Sequence, residues 1–127
     1  MNTTKQRRRE KRLLCADLVE LVWRDNKGHS IRRIGNLENI CAGGMCLQLE
    51  APLNRGTSIQ MPCVRCTFRG IVRYVLDRED SYVIGIEFDK SNLWSRKLFD
   101  PQHLLDPDAV LPPADRLRSI PGRNWIN

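Results

Sequence analysis

The sequence predicts a mainly β domain whose short strands close, or nearly close, into a barrel. Two observations lead there. Six stretches of strand-like residues recur along the chain, parted by Gly-, Pro-, Asn- and Asp-containing turns every ~8–12 residues. The second is size and composition: 127 residues with 41% apolar and 28% charged side chains suit one globular domain with a single core. Aromatic residues make up only 6%, so that core must rest on Leu, Ile and Val.

The first element, residues 13–24, has two readings. Leu14, Leu18, Leu21 and Val22 fit a helix, whereas Cys15, Val19, Leu21 and Trp23 fit one face of a strand, with Asp17 the exception. Asp25-Asn26-Lys27-Gly28 follows with tight-turn chemistry and favours the strand. Ile31 to Ile40 returns as a second strand, in which Gly35 marks a bulge or a close approach. Residues 39–44 interrupt the pattern as a loop, and Met45 to Glu50 resumes it with Met45, Leu47 and Leu49 on one face. Pro52 to Gly56 is a turn before a short strand, Thr57 to Met61. Arg65 to Leu76 is a long strand with Cys66, Phe68, Gly70, Val72 and Tyr74 on one face. After a polar turn at 77–81, Tyr82 to Phe88 closes the series. Ser91 can cap a short helix through Phe99. Five prolines from Pro101 onward forbid a long regular element, so residues 100–127 read as an extended tail that Leu104 and Leu105, among others, could pin to the barrel.

Charge is unevenly placed. The net charge is +6, yet residues 1–12 hold Lys5, Arg7, Arg8, Arg9, Lys11 and Arg12 against Glu10 alone. The body is therefore nearly neutral. The arm, residues 1–12, lacks an apolar face and is expected to be disordered or loosely placed in water. Such an arm seeks an anion. A broad nucleic-acid-binding face would instead spread its charge over the body, so nucleic acid is a poor fit. No apolar run approaches the ~20 residues of a membrane span, and no apolar signal segment opens the chain. Five cysteines, an odd number, argue for reduced thiols. Together these features point to a cytoplasmic domain.

One constellation could recognise a nucleotide. Arg7-Arg8-x-x-x-Arg12 is followed about 26 residues later by Asn39-x-Cys41-x-x-Gly44. Arginine's planar fork can bind phosphate, or the O6/N7 edge of guanine, through two hydrogen bonds. Asn39 adds a donor and an acceptor, and Gly43-Gly44 lets backbone approach a ligand. No metalloprotease motif, phosphate loop, nucleophile elbow or carboxylate pair suggests an enzyme.

These residues resemble the PilZ family, whose pattern is an RxxxR arm and a D/NxSxxG loop. Phe68-Arg69-Gly70-Ile71-Val72-Arg73-Tyr74 followed by Tyr82 to Phe88 is similar to that family's late strand pair. The resemblance spans roughly residues 7–90. It implies a six-stranded antiparallel barrel over residues 13–99 with a short C-terminal helix. It also implies a non-enzymatic receptor for the bacterial second messenger cyclic di-GMP, with output through a partner protein. Arg7, Arg8, Arg12, Asn39, Cys41 and Gly44 would be its ligand-binding residues. Cys41 departs from the pattern, which has serine there.

Two alternatives stand beside this reading. A thiol is a weaker hydrogen-bonding group than a hydroxyl, which favours a module that keeps only protein contacts. Cys41-x4-Cys46 and Cys63-x2-Cys66 could instead hold zinc. Against zinc, Cys46 and Cys66 fall inside alternating strands, where a free cysteine is an ordinary small apolar residue.

Overall fold

A computed structural model of the chain describes residues 11–110. Six strands, β1 (Leu13–Arg24), β2 (Ser30–Cys41), β3 (Gly44–Leu49), β4 (Ser58–Pro62), β5 (Thr67–Asp77) and β6 (Tyr82–Phe88), form a closed barrel in the order β1-β2-β3-β6-β5-β4. Every neighbouring pair is antiparallel. The first element is thus a strand. Its burial alternates as expected, with Val19, Leu21 and Trp23 inside.

Alternation fills the interior. Leu37 and Ile40 from β2, Met45, Leu47 and Leu49 from β3, and Ile84 and Ile86 from β6 are all buried. Phe68 of β5 lies fully buried among them, with ring centroids 5.4 Å from Phe88 and 6.4 Å from Phe99. These tilted aromatic contacts supplement the area they bury. At Gly35 an added Cβ would sit 3.2 Å from both the Gln48 carbonyl oxygen and Leu47 Cδ1, which is the close approach foreseen there.

Two expectations are corrected. Residues 39–44 are not a free loop: β2 runs on through Cys41, a two-residue turn at Ala42-Gly43 reverses the chain, and Gly44 opens β3. The helix foreseen over 91–99 does not form either. That stretch makes turns, in which the Ser95 carbonyl accepts from Leu98 and Phe99. Fewer than ten residues before Pro101 give little helical propagation, and Trp94 is taken by the barrel. Its backbone N–H donates to the Ala42 carbonyl (3.0 Å) and its indole N–H to the Phe99 carbonyl (2.8 Å). The short C-terminal helix is a single turn further on, α1 (Pro107–Val110).

The first part of the tail is held as an added strand. Leu105 and Leu14 exchange both backbone hydrogen bonds, at 2.7 and 2.8 Å, and Ala16 N–H donates to the Gln102 carbonyl. Asp17, the polar exception on the inward face of β1, accepts from the Gln102 N–H. Leu104 packs against the core. The arm before residue 11 and the tail beyond residue 110 lie outside the described residues.

Phe68 touches both β6 and the 91–99 segment, so its loss leaves a cavity that a closed barrel cannot collapse. Phe68→Ala is expected to lower stability by about 3–5 kcal/mol, while exposed Leu18→Ala changes it by less than ~0.5 kcal/mol. Urea unfolding of the two variants checks this; equal midpoints would contradict it.

Candidate functional site

Two β-bulges shape the outer wall. The β2–β3 register slips between Leu37 and Asn39, and the β5–β6 register slips between Val72 and Tyr74. Strict alternation would send Asn39 and Tyr74 inward with Leu37 and Val72. The extra residues, Glu38 and Arg73, turn both side chains outward. Tyr74 therefore does not share the Phe68 face that alternation assigned to it. Pairing then sets Leu14, Asn39, Cys46, Gly85 and Tyr74 side by side across five strands.

Along this row the polar groups connect. Arg12, the last residue of the arm motif, donates from Nη1 to Asn39 Oδ1 at 2.8 Å. The Asn39 side chain also hydrogen-bonds the Cys46 thiol, to which Tyr74 Oη donates at 3.6 Å. The Tyr74 ring lies directly over Gly85, where any Cβ would overlap the ring carbons. Gly85 is what lets the aromatic ring lie flat on the sheet. Burial pushes the Cys46 thiol above its ordinary range, against the hydrogen bond from Tyr74, which favours thiolate. Burial and the bond to Cys46 hold the Tyr74 phenol up in turn. Beside this row Lys11 donates to Asp106 at 3.0 Å, which raises its ammonium above the usual lysine range.

The remaining sequence-derived residues are placed differently. Cys41 is only 5% exposed, although it stands apart from the interior cluster that holds its neighbour Ile40. Gly44 is needed by the barrel itself, since a Cβ there would meet the backbone carbonyl oxygen of Ile86. The turn carbonyls of Ala42 and Gly43 already accept from Trp94 and Phe88. Arg7 and Arg8 lie outside the described residues. The structure thus joins Arg12 to Asn39 and adds Cys46 and Tyr74, which the sequence reading did not select for a ligand site.

No family profile and no curated protein sequence matches the chain. Solved structures do. The PilZ domain of YcgR from Escherichia coli, solved with c-di-GMP, is 18% identical, and the match covers 73% of this chain and 86% of that one with a TM-score of 0.51. The fold is that of a PilZ domain. The K. pneumonia MrkH–c-di-GMP complex is 22% identical over 66% of this chain, with a TM-score of 0.50, and the match spans 45% of the MrkH chain.

The fold places the two cysteine pairs of the four-cysteine alternative on different elements, Cys41 and Cys46 in β2 and β3, Cys63 and Cys66 around the β4–β5 turn. Cys63 and Cys66 face each other where β4 turns into β5, with the Cys63 N–H on the Cys66 carbonyl, while Cys46 is engaged by Asn39 and Tyr74. Among the described residues, no three His, Cys, Asp or Glu side chains converge as metal ligands.

Two outcomes follow from this geometry. Gly85→Ala must displace the Tyr74 ring, a movable side chain, and uncover Cys46. Alkylation of Cys46 by iodoacetamide at pH 8.5 is expected to rise about tenfold or more with the fold intact, because access as well as thiolate content governs thiol reactivity. An unchanged rate would mean the ring does not cover the thiol. The second concerns pH. Burial pushes the Cys15 and Cys63 thiols up to about 11. Their folded pKa values exceed the unfolded value, so this contribution to stability is complete below about pH 9 and is lost as pH rises towards 11. The urea midpoint should fall across that window, and less steeply in a Cys15→Ala variant. A midpoint that rises with pH would contradict the sign.

Proposed function

We propose that this domain is a receptor for cyclic di-GMP that binds on the outer wall of the barrel. The observation that carries the reading is the 2.8 Å hydrogen bond from Arg12 to Asn39, which brings the arm motif and the hairpin motif together on one surface. Two barrels of the same fold were solved with c-di-GMP, which supports the assignment. In this reading Arg7, Arg8 and Arg12 grip the phosphates and guanine edges, and Asn39 contributes hydrogen bonds from the sheet. Cys41, buried, and Gly44, pressed against β6, complete the hairpin motif at the edge of that surface.

The energetics are consistent with capture by the arm. Arginine's charge is permanent, and the nucleotide carries two negative charges in a ring. Holding each arm residue in a fixed conformation costs ~1 kcal/mol or more in backbone entropy. Several charge-assisted hydrogen bonds of ~1.5–3 kcal/mol each would offset that cost. The reaction is binding, with no group transfer. The output would pass to an effector protein that reads the reshaped arm. A cytoplasmic location belongs to the same proposal and is consistent with the odd number of cysteines.

A second reading has one observation in its favour. The residue in the serine position of the motif is a thiol only 5% exposed, which suits a PilZ-type module that contacts proteins and no longer holds nucleotide. Titration calorimetry with cyclic di-GMP separates the two. Saturable heat is expected, and Arg8→Ala and Arg12→Ala should each weaken binding by about 1–3 kcal/mol, the range for one bidentate guanine contact. Their melting temperatures should match the parent, since Arg12 is exposed. An absence of heat would favour the protein-contact module. Unchanged affinity in both variants would move the site elsewhere.

A further inference from the structure

β1 is unevenly covered on the edge that faces away from β2. The Asp25 N–H donates to the His29 carbonyl, and counting back along the register makes Trp23, Leu21 and Val19 the residues hydrogen-bonded to β2. Leu18, Glu20 and Val22 therefore turn their backbone N–H and C=O groups the other way. Val22 meets Gln60 of β4. At the opposite end, Leu14 and Ala16 are taken by Leu105 and Gln102. Leu18 and Glu20 lie between, and among the described residues no backbone group pairs with them on this edge. Continuing the Val22–Gln60 register would set Glu20 against Pro62 and Leu18 against Val64. Pro62 has no N–H to give, so the seam stops there.

The interrupted seam opens as a cleft of ≈ 820 Å³ floored by Leu98 and Phe99, within the ~300–1,000 Å³ typical of ligand clefts. On its lips Leu18 is 72% exposed and Val64 fully exposed. Exposed apolar side chains beside an unpaired strand edge invite strand addition. The rim is cationic. Arg65, whose Nη1 donates to the Lys97 carbonyl at 2.8 Å, Arg96 and Lys97 line it with one carboxylate, Asp100, which Arg96 pairs at 3.2 Å, and Asp17 stands near Cys63 behind them. Glu20 is held by Arg32 at 3.0 Å, turned to the outer wall.

We propose that this edge is a docking site for an extended, acidic segment of a partner protein, which adds as a short strand between β1 and the β4–β5 connection. Backbone bonds to Leu18 and Glu20 would supply the register, Leu98 and Phe99 an apolar seat, and Arg65 and Lys97 the preference for carboxylates. The same edge already recruits an extended segment in this way, one step along, at Leu105. Other occupants carry the wrong charge. Residues 111–127 hold Arg116, Arg118 and Arg123 against Asp115, and a second copy of the chain brings a net +6.

The test uses the full chain and a synthetic hexapeptide of alternating Val and Glu, capped at both ends, with the Val/Lys hexapeptide as control. Amide hydrogen exchange is followed by NMR. The Val/Glu peptide is expected to slow exchange at Leu18 and Glu20 about tenfold or more at saturation, while the Val/Lys peptide has no effect. Leu18→Glu and Lys97→Glu should each weaken that peptide about tenfold. No binding at millimolar peptide, or equal binding of both peptides, would overturn the proposal. Protection of these amides in the free protein at high dilution would assign the edge to the chain's own tail. Protection that grows with protein concentration would assign it to a second copy. Either result would also overturn the proposal.

Discussion

The barrel closes on very little backbone. Ten residue pairs register between β1 and β2, but only Val22–Gln60 and Trp23–Ile59 join β1 to β4. A seam this short cannot hold a sheet closed through hydrogen bonds worth ~1 kcal/mol apiece. What holds it is the interior behind it, where Trp23, Ile59, Met61 and Phe68 are all buried. Below the seam, where Pro62 interrupts pairing, the chain beyond β6 takes over: Phe99 reaches Phe68, and residues 102–105 cover the start of β1. The start of β1 and the tail are therefore one structural unit, although they lie at opposite ends of the described chain.

Closure also decides what the outer wall can present. Once the interior is filled by alternate residues, every polar side chain on the wall must fall on the other parity. The bulges at Glu38 and Arg73 break parity in two strands and deliver Asn39 and Tyr74 to the outside, level with Cys46 and Gly85. Asn39 and Tyr74 reach the row through these two single-residue insertions, and a third register shift, between Leu14 and Asp17, lies at its β1 end. Bulges of this kind re-aim side chains next to binding sites in many sheets. Here they let Arg12 meet Asn39, at the point where the arm reaches the barrel.

Much of the fold was legible in the sequence because period-two burial is a direct consequence of strand geometry. The inward set Val19, Leu21 and Trp23, with Asp17 as the odd member, could be read from residue order alone, as could Met45, Leu47 and Leu49. The bulges could not, because they leave no signature beyond one extra residue. That is why alternation groups Tyr74 with Phe68; Cys46 lies in unbulged β3, and its polar partner Tyr74 comes from a distant strand. The Asn39–Gly44 motif was visible; that Gly44 also answers to the Ile86 carbonyl was not. The 91–99 segment has a capping serine and an i,i+4 apolar pair, yet its length and the hydrogen bonds from Trp94 to the Ala42 and Phe99 carbonyls leave it as turns.

The account stands or falls on whether nucleotide binds to the Asn39–Tyr74 row. NMR titration of the full chain with cyclic di-GMP addresses this residue by residue. Perturbed amide resonances should centre on Arg12, Asn39, Cys46, Tyr74 and Gly85 and leave the Leu18 and Val64 region unmoved. Spectra unchanged at millimolar nucleotide, or shifts centred on the cleft between Leu18 and Val64, would contradict it.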